Sequence, residues 1–289
     1  MPPLAMAPPA RLRLKRYWFV LFASVLLGTT TLAAESTAQP NVSVLAPPLA
    51  MPGLDRNRTI RLYLPPSYAS AAGAKRYPVI YMHDGQNLFD AATAYAGEWN
   101  VDETLNSLAR STGFEAIVVG IDNGGDKRMS ELSPFANPYV GAAEGKAYLA
   151  FLVGVVKPMI DSRYRTLQDR DHTAIIGSSM GGLISHAALL WYPGVFGRAA
   201  LFSTAYESAD GFLDSVLSER LVPGTRVYLY AGGAESKRMV PETRRAAAAF
   251  ASQLPAQDIA LSIVAANGHN EAAWRAELGP AIRWLFIIE

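Results

Sequence analysis

Cysteine is absent from the 289 residues, which excludes disulfides, thiolate metal sites and an acylated lipoprotein cysteine. Histidine is scarce, at four residues, so any chemistry needing an imidazole base has only His83, His172, His186 and His269 to draw on. An apolar run of the roughly 20 residues that a spanning helix needs is also missing. The longest candidate, Tyr17 to Gly28, has twelve, although Thr29 to Ala34 could extend it into an uncleaved anchor. There is no basic excess. Setting aside residues 1 to 34, which hold Arg11, Arg13, Lys15 and Arg16 and no acid, leaves 22 basic against 25 acidic residues, a net charge of −3. A basic nucleic-acid footprint is therefore lacking.

The four basic residues followed by the short apolar run and small residues through Ala33-Ala34 form a secretory signal pattern. We expect residues 1–34 to be a signal peptide, cleaved near Ala34 or after Ala38, and the remainder to be exported to the periplasm or the medium with no stable membrane span. Export without disulfides is workable, since a chain this long can bury one large core unaided.

Residues 35–57, with prolines at 40, 47, 48 and 52, read as a lead-in segment with one edge strand at most and little periodicity beyond Val42-Ser43-Val44. The catalytic domain is expected over 58–289. Thr59 to Leu64 alternates in polarity like a half-exposed strand. Further on, unbroken apolar runs recur at Pro78 to Met82, Ala116 to Ile121, Thr173 to Ile176, Ala199 to Phe202, Val227 to Tyr230 and Ile259 to Val264. Runs without alternation indicate strands covered on both faces. Helical patterns lie between most of them, at Val101 to Arg110, Lys146 to Val156, Met180 to Tyr192, Pro241 to Gln253 and Glu271 to Ile287. The expected class is α/β: a mostly parallel sheet flanked by helices, with antiparallel N-terminal strands.

Gly177-Ser178-Ser179-Met180-Gly181 is a G-x-S-x-G pentapeptide between an apolar strand and a helical run, the context of a nucleophile elbow. Side chains two positions either side of the serine would collide with strand or helix, and Gly177 and Gly181 remove them. Ser178 in the same role would need glycine at 176, where Ile176 stands, so Ser179 is the candidate nucleophile. A serine hydroxyl needs a base, held in its tautomer by a carboxylate. His186 lies two turns along the helix from Ser179, and His172 begins a strand at the end remote from the site. His269, in Asn267-Gly268-His269-Asn270 after the last strand, is the candidate base. The acid should follow a strand between Ser179 and His269. Glu235 is the first choice, Asp210 the fallback and Glu207 a weaker third. For the oxyanion, the amide of Met180 and an amide from the loop His83-Asp84-Gly85-Gln86-Asn87 are the candidates, Gln86 before Asn87, with Gly85 letting the backbone approach the substrate.

Four blocks carry a likeness beyond the elbow: Tyr77 to Asp90, Gly120 to Pro134, Gly177 to Leu183 and Gly268 to Trp274. Together they resemble the putative esterase family of α/β hydrolases, the esterase D-like set that includes feruloyl and siderophore esterases. The resemblance implies an α/β-hydrolase fold and a Ser179, His269 and acidic-residue mechanism, with oxyanion donors around Gln86 and at Met180. It also places Asn123, Arg128 and Glu131 beside the pocket. Asp84, Asn123, Arg128 and Trp274 are thus candidate substrate-binding residues, with an Arg128–Glu131 salt bridge as the alternative use of that arginine. Trp99, Tyr139 and Trp274 could form an aromatic wall. The expected activity is hydrolysis of a small-molecule aryl, sugar or siderophore ester, without metal or organic cofactor. Acyl transfer by the same triad, or a noncatalytic binding protein on a hydrolase scaffold, are the alternatives.

Overall fold

The computed structural model describes residues 35–70, 73–136, 140–209, 211–213 and 219–288; the expected signal segment, Tyr139 and Asp210 lie outside them. Each of the apolar runs becomes a strand: β3 (Val79–His83), β4 (Ile117–Ile121), β5 (Thr173–Ser178), β6 (Arg198–Phe202), β7 (Arg226–Gly232) and β8 (Ile259–Val264). The alternating run forms β2 (Arg56–Tyr63), and the proline-bearing lead-in forms β1 (Val42–Met51). They make one eight-stranded sheet in the order β1-β2-β4-β3-β5-β6-β7-β8. Strands β1, β2 and β4 pair antiparallel, and β4 through β8 pair parallel.

Successive residues of a strand point to opposite faces, and here both faces are dry. Ile175 joins one core with Tyr81, Leu183 and Phe250, while its neighbours Ala174 and Ile176 join the other with Ile80, Leu105 and Leu278. Helices supply both covers: α1 (Val101–Thr112), a turn α2 (Arg128–Glu131), α3 (Gly145–Phe151), α4 (Lys157–Arg163), α5 (Met180–Trp191), α6 (Met239–Ala251) and α7 (Glu271–Phe286). Helices α1 and α7 carry the Leu105 and Leu278 face, and α5 and α6 the Leu183 and Phe250 face.

Two elements depart from the sequence reading. Strand β1, the edge strand the lead-in offered, runs ten residues, well beyond Val42-Ser43-Val44; its register shifts between Leu45 and Leu49 around Pro47 and Pro48. Proline cannot donate to a ladder, and β1 is the edge strand where that loss is tolerated. The helix expected to end at Val156 continues through a π-helical turn, Leu152–Val156, into α4. Pro158 directly follows the π turn, as the second residue of α4, and being inside a continuous helix it removes one rung of the hydrogen-bond ladder there.

Parallel strands send their carboxyl ends to one edge of the sheet, where ligands gather in folds of this kind. The loops after β3, β5, β7 and β8 carry Gln86, Ser179, Glu235 and His269 respectively.

Candidate active site

Strand β5 ends at Ser178 and helix α5 begins at Met180, so Ser179 is the single residue that turns the chain. It does so at φ 57° and ψ −121°, a region that costs a non-glycine residue on the order of 1–3 kcal/mol and persists only when its surroundings impose it. The imposition is visible. The Ser179 amide donates to the Phe202 carbonyl at 2.9 Å, and its carbonyl accepts from Leu183 and Ala205 at 3.1 Å each. A β-carbon on Gly177 would lie 2.5 Å from the Gly181 carbonyl carbon, so strand and helix touch here only because Gly177 is bare; a β-carbon on Gly181 would instead press on the His83 side chain at 3.3 Å.

His269 donates or accepts through Nδ1 at 2.6 Å from Glu235 Oε2; a carboxylate only accepts, which assigns the proton to Nδ1 and leaves Nε2 as the free base. The Glu235 side chain is 1 % exposed. Its other oxygen, Oε1, accepts from Ser203 Oγ and from the Gly232 amide, each at 2.6 Å. Burial alone pushes this carboxyl up. The hydrogen bonds from His269, Ser203 and Gly232 outweigh it and hold the group below its ordinary range, ionised at neutral pH.

A cavity of about 870 Å³ opens in front of these groups, lined by Ser179, His269, Gln86, Asn123, Trp99 and Trp274 among others. A smaller one of about 220 Å³ shares Ser179, His269 and Arg128 with it and reaches Met180, Glu207 and Glu235. Among the described residues neither the Gln86 nor the Met180 amide has a hydrogen-bond partner, whereas the Asn87 amide donates to Asp84 at 2.9 Å. Two unengaged amides from separate elements thus border cavities that share the serine.

A family model described as Putative esterase matches residues 52–285. The chain belongs to this family. Its esterase sheet and helices are those of an α/β hydrolase, and membership makes it a carboxylic ester hydrolase. It is 26% identical over 246 residues to the Uncharacterized protein YbbA of Bacillus subtilis (strain 168), covering 80% of this chain and 93% of that one. Among solved structures it superposes on the enterobactin esterase FES of Shigella flexneri with a TM-score of 0.70 at 20% identity, covering 87% of this chain and 60% of that one. An IroE-like serine hydrolase from Shewanella oneidensis gives a TM-score of 0.68 at 19% identity, covering 85% of this chain and 80% of that one.

The remaining candidate residues of this esterase are placed differently from one another. Asp84, at φ 56°, turns its carboxylate onto Arg128, which donates Nε to Oδ1 at 2.6 Å and Nη2 to Oδ2 at 2.9 Å; Asn123 Nδ2 also donates to Oδ1 at 2.6 Å. Burial opposes the Asp84 charge, but Arg128 and Asn123 more than compensate and its pKa is lowered. All three line the large cavity, yet Arg128 faces it with its charge already paired. Its partner is Asp84, not Glu131, which instead accepts from Arg56 and Arg58. Gly85 does not lend its bare α-carbon to the pocket: a β-carbon there would meet Asp122 Oδ1 at 2.6 Å, so the glycine lets the loop pack on the end of β4.

Trp274 lines the cavity and faces inward as well, donating Nε1 to Ser203 Oγ at 2.9 Å while its ring meets His269 edge-on at 5.0 Å. Trp99 stands 5.6 Å from it, centroid to centroid. Ser203 and Tyr148 were not singled out from the sequence. Ser203, at φ 44°, follows β6 and links Trp274 to Glu235. Tyr148 meets His83 Nδ1 at 2.7 Å, and burial pushes that imidazole down to about 4, keeping it neutral.

Proposed function

We propose that this esterase works through an acyl-enzyme on Ser179, with His269 as general base and Glu235 as its orienting acid. The observation that carries the reading is the 2.6 Å Glu235–His269 bond on a histidine that shares its cavity with a serine held at an elbow. Ser179 Oγ attacks the ester carbonyl as His269 Nε2 takes its proton. Charge developing on the carbonyl oxygen is met by the Met180 and Gln86 amides, each worth about 10²–10³ in rate where such donors have been removed. The tetrahedral species collapses, His269 protonates the departing alcohol, and a water deprotonated by His269 then releases the acid.

The substrate in this reading is a small-molecule ester with one planar or ring-bearing part. Trp99 and Trp274, only 3% and 5% exposed, line the cavity, and the Asp84–Asn123–Arg128 group offers polar contacts there. FES is, by its name, an enterobactin esterase, and another neighbour is named a ferulic acid esterase. We also propose that the protein is exported, on the strength of the basic and apolar pattern of residues 11–34; among the described residues no helix is long and apolar enough to cross a membrane.

The test is hydrolysis of p-nitrophenyl acetate through decanoate, and of methyl ferulate, by the wild-type chain and by Ser179→Ala and His269→Ala. Both variants should lose at least about 10³-fold in kcat. Equal rates in all three proteins would overturn the mechanism.

A further inference from the structure

Three carboxylates stand together where the chain enters α1. Glu98, Asp102 and Glu103 each bring one oxygen to within 4.8 Å of the others. Glu98 and Asp102 are 7% and 0% exposed, a setting in which an unpaired carboxylate is costly. The segment ahead of β1 satisfies one oxygen of each group. Thr37 Oγ1 donates to Glu98 Oε2 at 2.8 Å, the Gln39 amide to Asp102 Oδ2 at 2.8 Å, and Gln39 Nε2 to Glu103 Oε1 at 3.2 Å. The second oxygen of each, Glu98 Oε1, Asp102 Oδ1 and Glu103 Oε2, is buried without a partner.

Among the described residues no cation pairs with these oxygens; Arg275 donates instead to the Glu98 carbonyl at 3.2 Å and to Asn100 Oδ1 at 2.8 Å. Asp90 adds a further negative charge close to Glu98. The N-terminal end of α1 favours anions, but by about 0.3–1 kcal/mol per charge, too little for three crowded carboxylates. Either protons or a metal ion must balance the cluster.

We infer that Glu98, Asp102 and Glu103 bind a hard divalent cation of the Ca²⁺ class. The donor set is all oxygen, with no imidazole or sulfur, which suits Ca²⁺ or Mg²⁺ and not zinc or copper. One bare oxygen per residue, converging from three side chains, is the pattern such an ion would complete with water. Entry is available at Glu103, which borders a surface groove with Thr104 and Ser107. The cation's effect on the molecule is to tie residues 37–39 to the start of α1 and to steady Trp99, which follows Glu98 in the chain and packs on Trp274.

The experiment is thermal unfolding of the chelator-treated full chain with CaCl₂ or MgCl₂, beside Asp102→Asn and Glu103→Gln. In the wild type, Ca²⁺ at about 100 times its Kd should raise Tm by roughly 5–10 °C at pH 7.5. The rise should vanish in Asp102→Asn, and Glu103→Gln should need at least about 10-fold more Ca²⁺, a typical loss for one ligand. Should Asp102→Asn not fold, the half-buried Glu103 position decides. A wild-type Tm unmoved by either ion up to about 10 mM, well above the Kd of weak Ca²⁺ sites, would show that protons alone balance the cluster and overturn the inference. A shift undiminished in the variants would place the ion elsewhere and overturn it too.

Discussion

The Ser203 hydroxyl donates to Glu235 Oε1 at 2.6 Å while accepting the indole N–H of Trp274 at 2.9 Å. Its one proton can serve only one acceptor, and the indole N–H can only donate, so the direction of both bonds is determined. Glu235 is thereby braced on the oxygen that His269 does not use. Ser203→Ala removes one of three hydrogen bonds to a buried carboxylate, a loss of about 1.5–3 kcal/mol at charged partners. We expect kcat/KM to fall about 10-fold with KM little changed, and the acid limb of the pH–rate profile to move upward. Steady-state kinetics from pH 4 to 9 checks both.

Ser203 also shows where sequence reading stops. A lone serine after an apolar run looks like any strand end; only the neighbouring loops reveal that it faces Glu235, 32 residues on, and Trp274, 71 residues on. Ser179 and His269 were legible because a glycine-flanked serine and a histidine after the last strand each have a local signature. The parallel strands were legible for a similar reason, since burial on both faces leaves an unbroken apolar run. The length of strand β1 was not, because an exposed edge with two prolines and a register shift presents neither alternation nor a run. For Arg128 the sequence offered a substrate group or Glu131, three residues on; the partner it takes, Asp84, is 44 residues away.

Glu235 is expected to outweigh Asp210 as the triad acid. Glu235→Gln cannot hold the Nδ1 proton as a carboxylate does, and about a 10³–10⁴-fold loss in kcat is expected. Asp210→Asn should stay within about twofold of wild type. The same variant carries a stability signature. The folded pKa of Glu235 is lowered, so its contribution is complete above the unfolded value of about 4.3 and is lost as pH falls through the lower folded value. The Tm gap between wild type and Glu235→Gln should be constant above about pH 5 and should close below about pH 4. Calorimetry across that range measures it.

Arg128 and Asp84 are expected to behave as a unit. Arg128→Met leaves a carboxylate of 10% side-chain exposure without its bidentate partner, while Arg128 itself is 26% exposed. Loss of one partner of a buried pair costs about 3–5 kcal/mol, and the partial exposure brings the expectation to about 2 kcal/mol. Adding Asp84→Asn should recover part of that loss by removing the stranded charge. Urea unfolding of the two single variants and the double variant gives the coupling. Independent, additive costs would mean that the pair does not act as an ion pair in solution.

Gly85 tests the loop that carries the Gln86 amide. A β-carbon at this position would lie 2.6 Å from Asp122 Oδ1, 2.8 Å from the Asp122 amide nitrogen and 2.9 Å from the Gly120 carbonyl carbon. Asp122 cannot swing away freely, because Arg61 holds it through Nε at 2.8 Å. In Gly85→Ala the loop must therefore move off β4, and the Gln86 amide moves with it. An oxyanion donor displaced by about 1 Å loses most of its value, which is felt in the transition state and not in binding. We expect kcat to fall about 10²-fold with KM nearly unchanged, and fluorophosphonate labelling of Ser179 to slow in parallel. Unchanged kcat in a variant whose Tm has dropped would show that the loop shifts without consequence for the chemistry. The second oxyanion donor would then have to be sought outside the Gln86 amide.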